Sequence, residues 1–295
     1  MPADQAPPDL AGAVGAVPRR FRPRAALVLG SRVGRLGLDA AGEVLRVQIF
    51  DRAMTLAAQA FTSILPLLIM MAAVLGRHDR RLLVDALGLP DSSRRLLTTA
   101  LGGSHSSAFG FVGCLFVVIS ATSLTRALTR AYAVCWSVRA RTTGLAGAGR
   151  QIVTVLAITA FVVVARLFGR LAGELPAPRL GYAVLTGVVE AAVAVATPRI
   201  LLGPAVGRAR LLTAGGLFGV MMIGVRAAGS VYLPRALQAS ADRYGSIGLA
   251  FTFLGWLYVI AFCLLLSAVF ARVLGDAVTA DRSPPAGASP TAAGR

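Results

Sequence analysis

The 295-residue chain contains no lysine and no asparagine, so all 30 of its cationic side chains are arginines. Without lysine there is no amine for a Schiff base or a lysine general base. Without asparagine there is no acceptor for N-glycosylation. Histidine is nearly absent too. His78 and His105 lie far apart, and the acids outside the apolar runs, Asp39, Glu43, Asp51, Asp276 and Asp281, show no ligand spacing. Metal-assisted phosphodiester hydrolysis needs clustered carboxylates or histidines, and serine hydrolysis a nucleophile elbow that this sequence lacks. Neither catalysis nor a metal or cofactor is therefore expected. Cys114, Cys135 and Cys263 are widely separated, two of them inside apolar runs. That argues against a disulfide framework or thiolate metal site and for buried, inert thiols. A secretory signal is not expected either, because AALVLG after Arg24 is too short for an apolar signal core.

What the chain has in abundance is hydrocarbon. Hydrophobic residues make up 56% and charged residues only 15%, with a mean hydropathy of +0.72, which points to the bilayer as solvent. The net charge of +17 raises the question of nucleic acid. A nucleic-acid binder needs a solvated basic face with stacking aromatics, whereas most of these arginines flank apolar runs. That placement orients a membrane protein and favours anionic headgroups, so the expected partner is the lipid bilayer and not nucleic acid.

Residues 1–36 are rich in Pro, Ala and Arg without helical periodicity and read as a disordered basic tail; residues 279–295 form a second tail. Between them, 37–278 read as one transmembrane domain. Leu38 to Asp51 alternates apolar and charged positions as a surface helix would. Apolar runs follow at about 53–75, 108–125, 151–173, 180–198, 211–232 and 246–275, each near the length that crosses about 30 Å of hydrocarbon. The spacing predicts about six membrane helices, with short interfacial helices between the first two, broken at Pro90. Arginines at 19–52, 139–150 and 199–210 place both termini in the cytoplasm, against the contrary weight of Arg77, Arg80, Arg81, Arg94 and Arg95.

Several residues stand out against this apolar background. Pro66, in AFTSILPLLIMMAAVL, frees the carbonyl of Thr62; Thr62, Ser63 or a neighbouring helix are expected to help satisfy it. Glu190 lies near the middle of the fourth run, where an unpaired carboxylate is costly. Counting about 1.5 Å per residue puts Arg166 and Arg226 at comparable depth, so Glu190, Arg166 and Arg226 are predicted to cluster and to bind an anionic group or couple a proton. The blander expectation is a static pair with the other arginine turned outward. Arg126 and Arg130 share one helical face at the cytoplasmic boundary, and are expected to anchor there with Tyr132 and Trp136, a ligand gate being the alternative. Gly215 and Gly219, a spacing repeated at Gly224 and Ala228, predict close helix packing; Gly245 and Gly248 predict a tight turn opening the last run.

Three stretches in order, SILPLL in the first span, LTRALTRAYAVCW ending the second and YGSIGLAFTFLGWLYVIAFCLLLSAVFARVL near the end, resemble the YihY/BrkB family of bacterial inner-membrane proteins over roughly residues 38–276. The resemblance implies a six-helix inner-membrane protein with cytoplasmic termini. Members have been labelled serum-resistance virulence factors, transporters and, by mistaken attribution, a ribonuclease. Where relatives often carry a Gly-Ala-Glu stretch, this chain has Ser267, Ala268 and Val269. The combined expectation is an all-α polytopic bundle in the bacterial cytoplasmic membrane that moves or binds a small or lipidic anionic solute, with a non-transporting envelope scaffold as the alternative and a membrane-bound ribonuclease as a remote one.

Overall fold

Ser31 opens the first helix. In the computed structural model, which describes residues 31–74, 107–138 and 178–282, its hydroxyl accepts from the Gly34 amide at 3.1 Å. Helix α1 runs Arg32–Val47 and stops where Gln48 turns left-handed. The surface helix predicted from Leu38 to Asp51 thus starts earlier and ends sooner, because the serine cap and the Gln48 turn set its ends. Helix α2 (Ile49–Val74) follows directly, then α3 (Ser107–Cys135), α4 (Pro178–Leu202), a short 3-10 turn at Gly203–Ala205, and α5 (Arg208–Arg282). Among the described residues there is no strand.

A straight helix of 75 residues would be about 110 Å long, far more than one membrane crossing requires. Helix α5 avoids this by reversing at Gly245, whose φ of 61° and ψ of −139° lie in a region open essentially to glycine alone. Its two arms, 208–244 and 246–282, pack antiparallel. Arg210 meets Asp276 at one end, Trp256 fills the space beside Gly229, and Thr252 donates to Ser240 near the turn. The fifth and sixth apolar runs are these two arms. Gly248 packs so closely on the Ser240 carbonyl that a side chain there would collide with it.

Helices α2 and α3 are also antiparallel, with Ile49 at the start of α2 in the same buried cluster as Cys135 at the end of α3, and Ser63 beside Ser120. Helix α2 is continuous through position 66. Thr62 and Ser63 donate to Ala58 and Gln59, one turn before the carbonyl that Pro66 frees, and Ser63 also reaches the Ser120 carbonyl of α3. The expected repair by Thr62 and Ser63 therefore does not occur. Each hydroxyl proton is taken by the carbonyl four residues earlier.

The core gathers where α1 ends and α3 and the second arm of α5 meet: Val47, Ile49, Tyr132, Trp136, Leu265 and Val269 are buried there. Trp136 stacks on Tyr132 at 5.1 Å and donates its indole N–H to the Ala268 carbonyl at 3.1 Å. Ser267 and Val269 are buried as well, so the stretch that departs from the family pattern is part of the core.

The outer faces tell a different story. Val184, Val188, Leu212, Val220 and Phe251 are each more than half exposed. Water does not tolerate so continuous an apolar exterior, whereas lipid does. Two of the described helices are long and apolar enough to cross a membrane, over Val184–Ala205 and Arg208–Thr279. The run predicted at 151–173 and the interfacial helices lie outside the described residues.

Candidate functional site

Helices α4 and α5 touch backbone to backbone. A side chain added at Gly219 would sit 2.8 Å from the Gly187 carbonyl, and one at Gly215 would sit 2.7 Å from that of Ala191 and overlap Val195. Glu190 lies between those two α4 positions. Side chains lean towards the N-terminus of their own helix. In an antiparallel pair, Glu190 on α4 and Arg226 on α5 therefore lean towards each other. Arg226 Nη2 lies 3.1 Å from Glu190 Oε2. Both atoms are buried and neither makes an aligned hydrogen bond, so they interact as charges. About a quarter of each side chain stays exposed, 27% and 25%. Arg166 lies outside the described residues. Gly224 has open space around it and takes no part in the seam.

Beside this pair, the two arms of α5 enclose a cavity of about 590 Å³ that begins at Val225 and Ala228 and ends towards the turn. Tyr232, Phe251 and Trp256 give it an apolar wall, relieved by Ser240 and Thr252.

A second charge cluster, not foreseen in the sequence, closes the end of the bundle where α1, α3 and both ends of α5 meet. Arg272 Nη1 faces three acceptors: Glu43 Oε1 at 2.7 Å, Ser137 Oγ at 2.9 Å and the Cys135 carbonyl at 3.1 Å. Glu43 also pairs with Arg46 one turn on, through Arg46 Nε at 2.7 Å. Asp276 lies 3.6 Å from Arg272 Nε and accepts from Arg210 at 2.6 Å. Burial pushes the nearby Cys135 thiol up to about 12, against the opposing pull of Arg52, Arg272 and Arg46. The Glu43–Arg272 contact joins residues 229 apart in the chain, and no local spacing announces it.

Arg126 and Arg130 stand apart from both clusters, on an exposed face of α3 beside a groove of about 450 Å³ lined by Ile119, Thr122 and Ser123. The expected partnership with Tyr132 and Trp136 does not form. Those rings lie about 120° round the helix from the arginines and are buried in the core, at 1% and 4% exposure.

An apolar helical bundle, charges paired inside it and the sequence order of its motifs all point one way, and the profile described as Virulence factor BrkB matches residues 40–291. The chain belongs to the BrkB family. Neither the curated proteins nor the solved structures provide a match. The BrkB profile covers α1 from Ala40 and every later described helix, so both charge clusters and the Arg126–Arg130 groove lie within the family's domain.

Proposed function

We propose that this BrkB-family protein is a permease-like, non-enzymatic protein of the bacterial cytoplasmic membrane that binds and moves a small or lipidic anionic solute. The observation that carries the reading is the Glu190–Arg226 ion pair, held between the two described helices apolar enough to span lipid. Ionised groups at that depth are costly and mark solute or proton paths. A carboxylate that can release its arginine to an incoming anion gives such a path a switch. The neighbouring α5 cavity supplies room for an apolar portion of the solute.

Six crossings with both termini cytoplasmic fit the same reading. Residues 43, 135, 210 and 272 gather at one end of the bundle. Helix α2, helix α3, helix α4 and the two arms of α5 are five of the six proposed crossings, and the sixth, expected at 151–173, lies outside the described residues.

The test is flux into proteoliposomes across a panel of organic, phosphate and lipid-linked anions, comparing the native protein with Glu190→Gln. Flux for at least one anion that falls tenfold or more in the variant supports the reading; equal flux removes it. The scaffold alternative has its own observation, the backbone contact at Gly215 and Gly219, which resists relative movement of α4 and α5. It predicts no protein-dependent flux for any anion.

A further inference from the structure

One face of α3 changes character steadily along its length. With 100° per residue, Leu115, Ile119, Thr122, Ser123, Arg126 and Arg130 fall within a stripe about 100° wide and about 22 Å long. The stripe begins with two apolar side chains that are more than half exposed, continues with two hydroxyls and ends with two exposed arginines. Its polar part is concave, the groove of about 450 Å³ already described. Among the described residues neither arginine has an ion-pair or hydrogen-bond partner, although three of the other arginines, Arg46, Arg210 and Arg272, are tied to carboxylates at the nearby end of the bundle. The adjoining face of the same helix is filled: Thr125, Thr129 and Tyr132 are buried.

We propose that this face holds one anionic phospholipid. Arg126 and Arg130 take the phosphate, Thr122 and Ser123 donate to phosphate or glycerol oxygens, and Leu115 and Ile119 lie along an acyl chain. Two arginines one turn apart present a fork of donors that matches a phosphate oxyanion. The order apolar, hydroxyl, cation along the helix matches the order of parts in a phospholipid entering from the headgroup side. A free anion would find the cations but have no use for the apolar end, so the stripe selects lipid over soluble phosphate. This site is separate from the Glu190–Arg226 pair and stands whether or not the protein transports anything.

The test is native mass spectrometry of the full chain in detergent, titrated with phosphatidylglycerol or phosphatidylcholine, with inorganic phosphate as competitor. The native protein should retain one phosphatidylglycerol at concentrations where phosphatidylcholine is lost, and millimolar phosphate should leave that lipid in place. Arg126→Gln with Arg130→Gln should weaken retention roughly ten- to thirty-fold, from the worth of two arginines at an anionic surface. Arg235→Gln with Arg243→Gln, exposed arginines elsewhere on α5, should leave retention unchanged. Arg126→Lys with Arg130→Lys keeps the charge but not the fork and should weaken retention less than the glutamine pair does, which separates loss of the site from loss of the fold. Should the glutamine pair not purify, Thr122→Val with Ser123→Ala should weaken retention at least threefold. Equal retention of both lipids, displacement by inorganic phosphate, or undiminished binding by the arginine or hydroxyl variants would each overturn the proposal.

Discussion

The protein holds charge in two places by opposite means. At the end of the bundle, Arg272 sits among a carboxylate, a hydroxyl and a carbonyl, with Arg46, Arg210 and Asp276 extending the network. Between α4 and α5, Glu190 and Arg226 have only each other among the described residues, without an aligned hydrogen bond. A network with many partners holds its members whether or not one contact opens. A lone pair can be parted by any group that satisfies either partner. The first arrangement suits a fastening and the second suits a switch.

Substitutions break this comparison in graded ways. The largest effect is expected from Arg272→Ala, which leaves Glu43 at 13% exposure with only Arg46 and should cost about 3 kcal/mol. It should appear as a lowered unfolding midpoint of the detergent-solubilised protein. It should also open Cys135 to maleimide at neutral pH in a background where the other two cysteines are serine, because loosening the end of the bundle relieves the burial that raises that thiol, the larger effect, and outweighs the lost opposing pull of Arg272. Next comes Gly219→Val, which forces α4 and α5 apart where the Gly187 carbonyl lies 2.8 Å from an added Cβ. A cost of about 2 kcal/mol is expected, together with loss of Glu190-dependent flux, because the seam positions the pair.

Glu190→Gln should cost less, about 1 kcal/mol, since the partly exposed Arg226 can turn outward, yet it should abolish whatever anion flux the native protein supports. A stability loss as large as that of Arg272→Ala, with flux retained, would make the two regions alike and both structural. Asp276→Asn is expected to matter least, within about 0.5 kcal/mol by thermal unfolding, because its carboxylate is 54% exposed.

Much of this was legible in the order of residues. Apolar runs marked the positions of α2, α3, α4 and the arms of α5, because a helix in lipid must be apolar over a length fixed by the bilayer. Depth counting along two helices was enough to bring Glu190 to Arg226. It could not reveal that leaning side chains on antiparallel helices converge, which is what closes the gap. Tyr132 and Trp136 read as an interface belt because they are aromatic residues near arginine; their angular position round α3 separates them from Arg126 and Arg130. The Glu43–Arg272 contact was illegible for a deeper reason. Each residue alone resembles an ordinary boundary charge, and only the closure of the whole bundle brings them together.

That closure has a consequence for how the protein is made. The guanidinium that fastens α1 and α3 belongs to the second arm of α5, which is made after the other described helices, so those helices leave the ribosome with Glu43 still waiting for Arg272. A chain halted before position 272 would lack this fastening and leave α1 held by fewer contacts, so finished and unfinished copies differ in how firmly their N-terminal helix is docked.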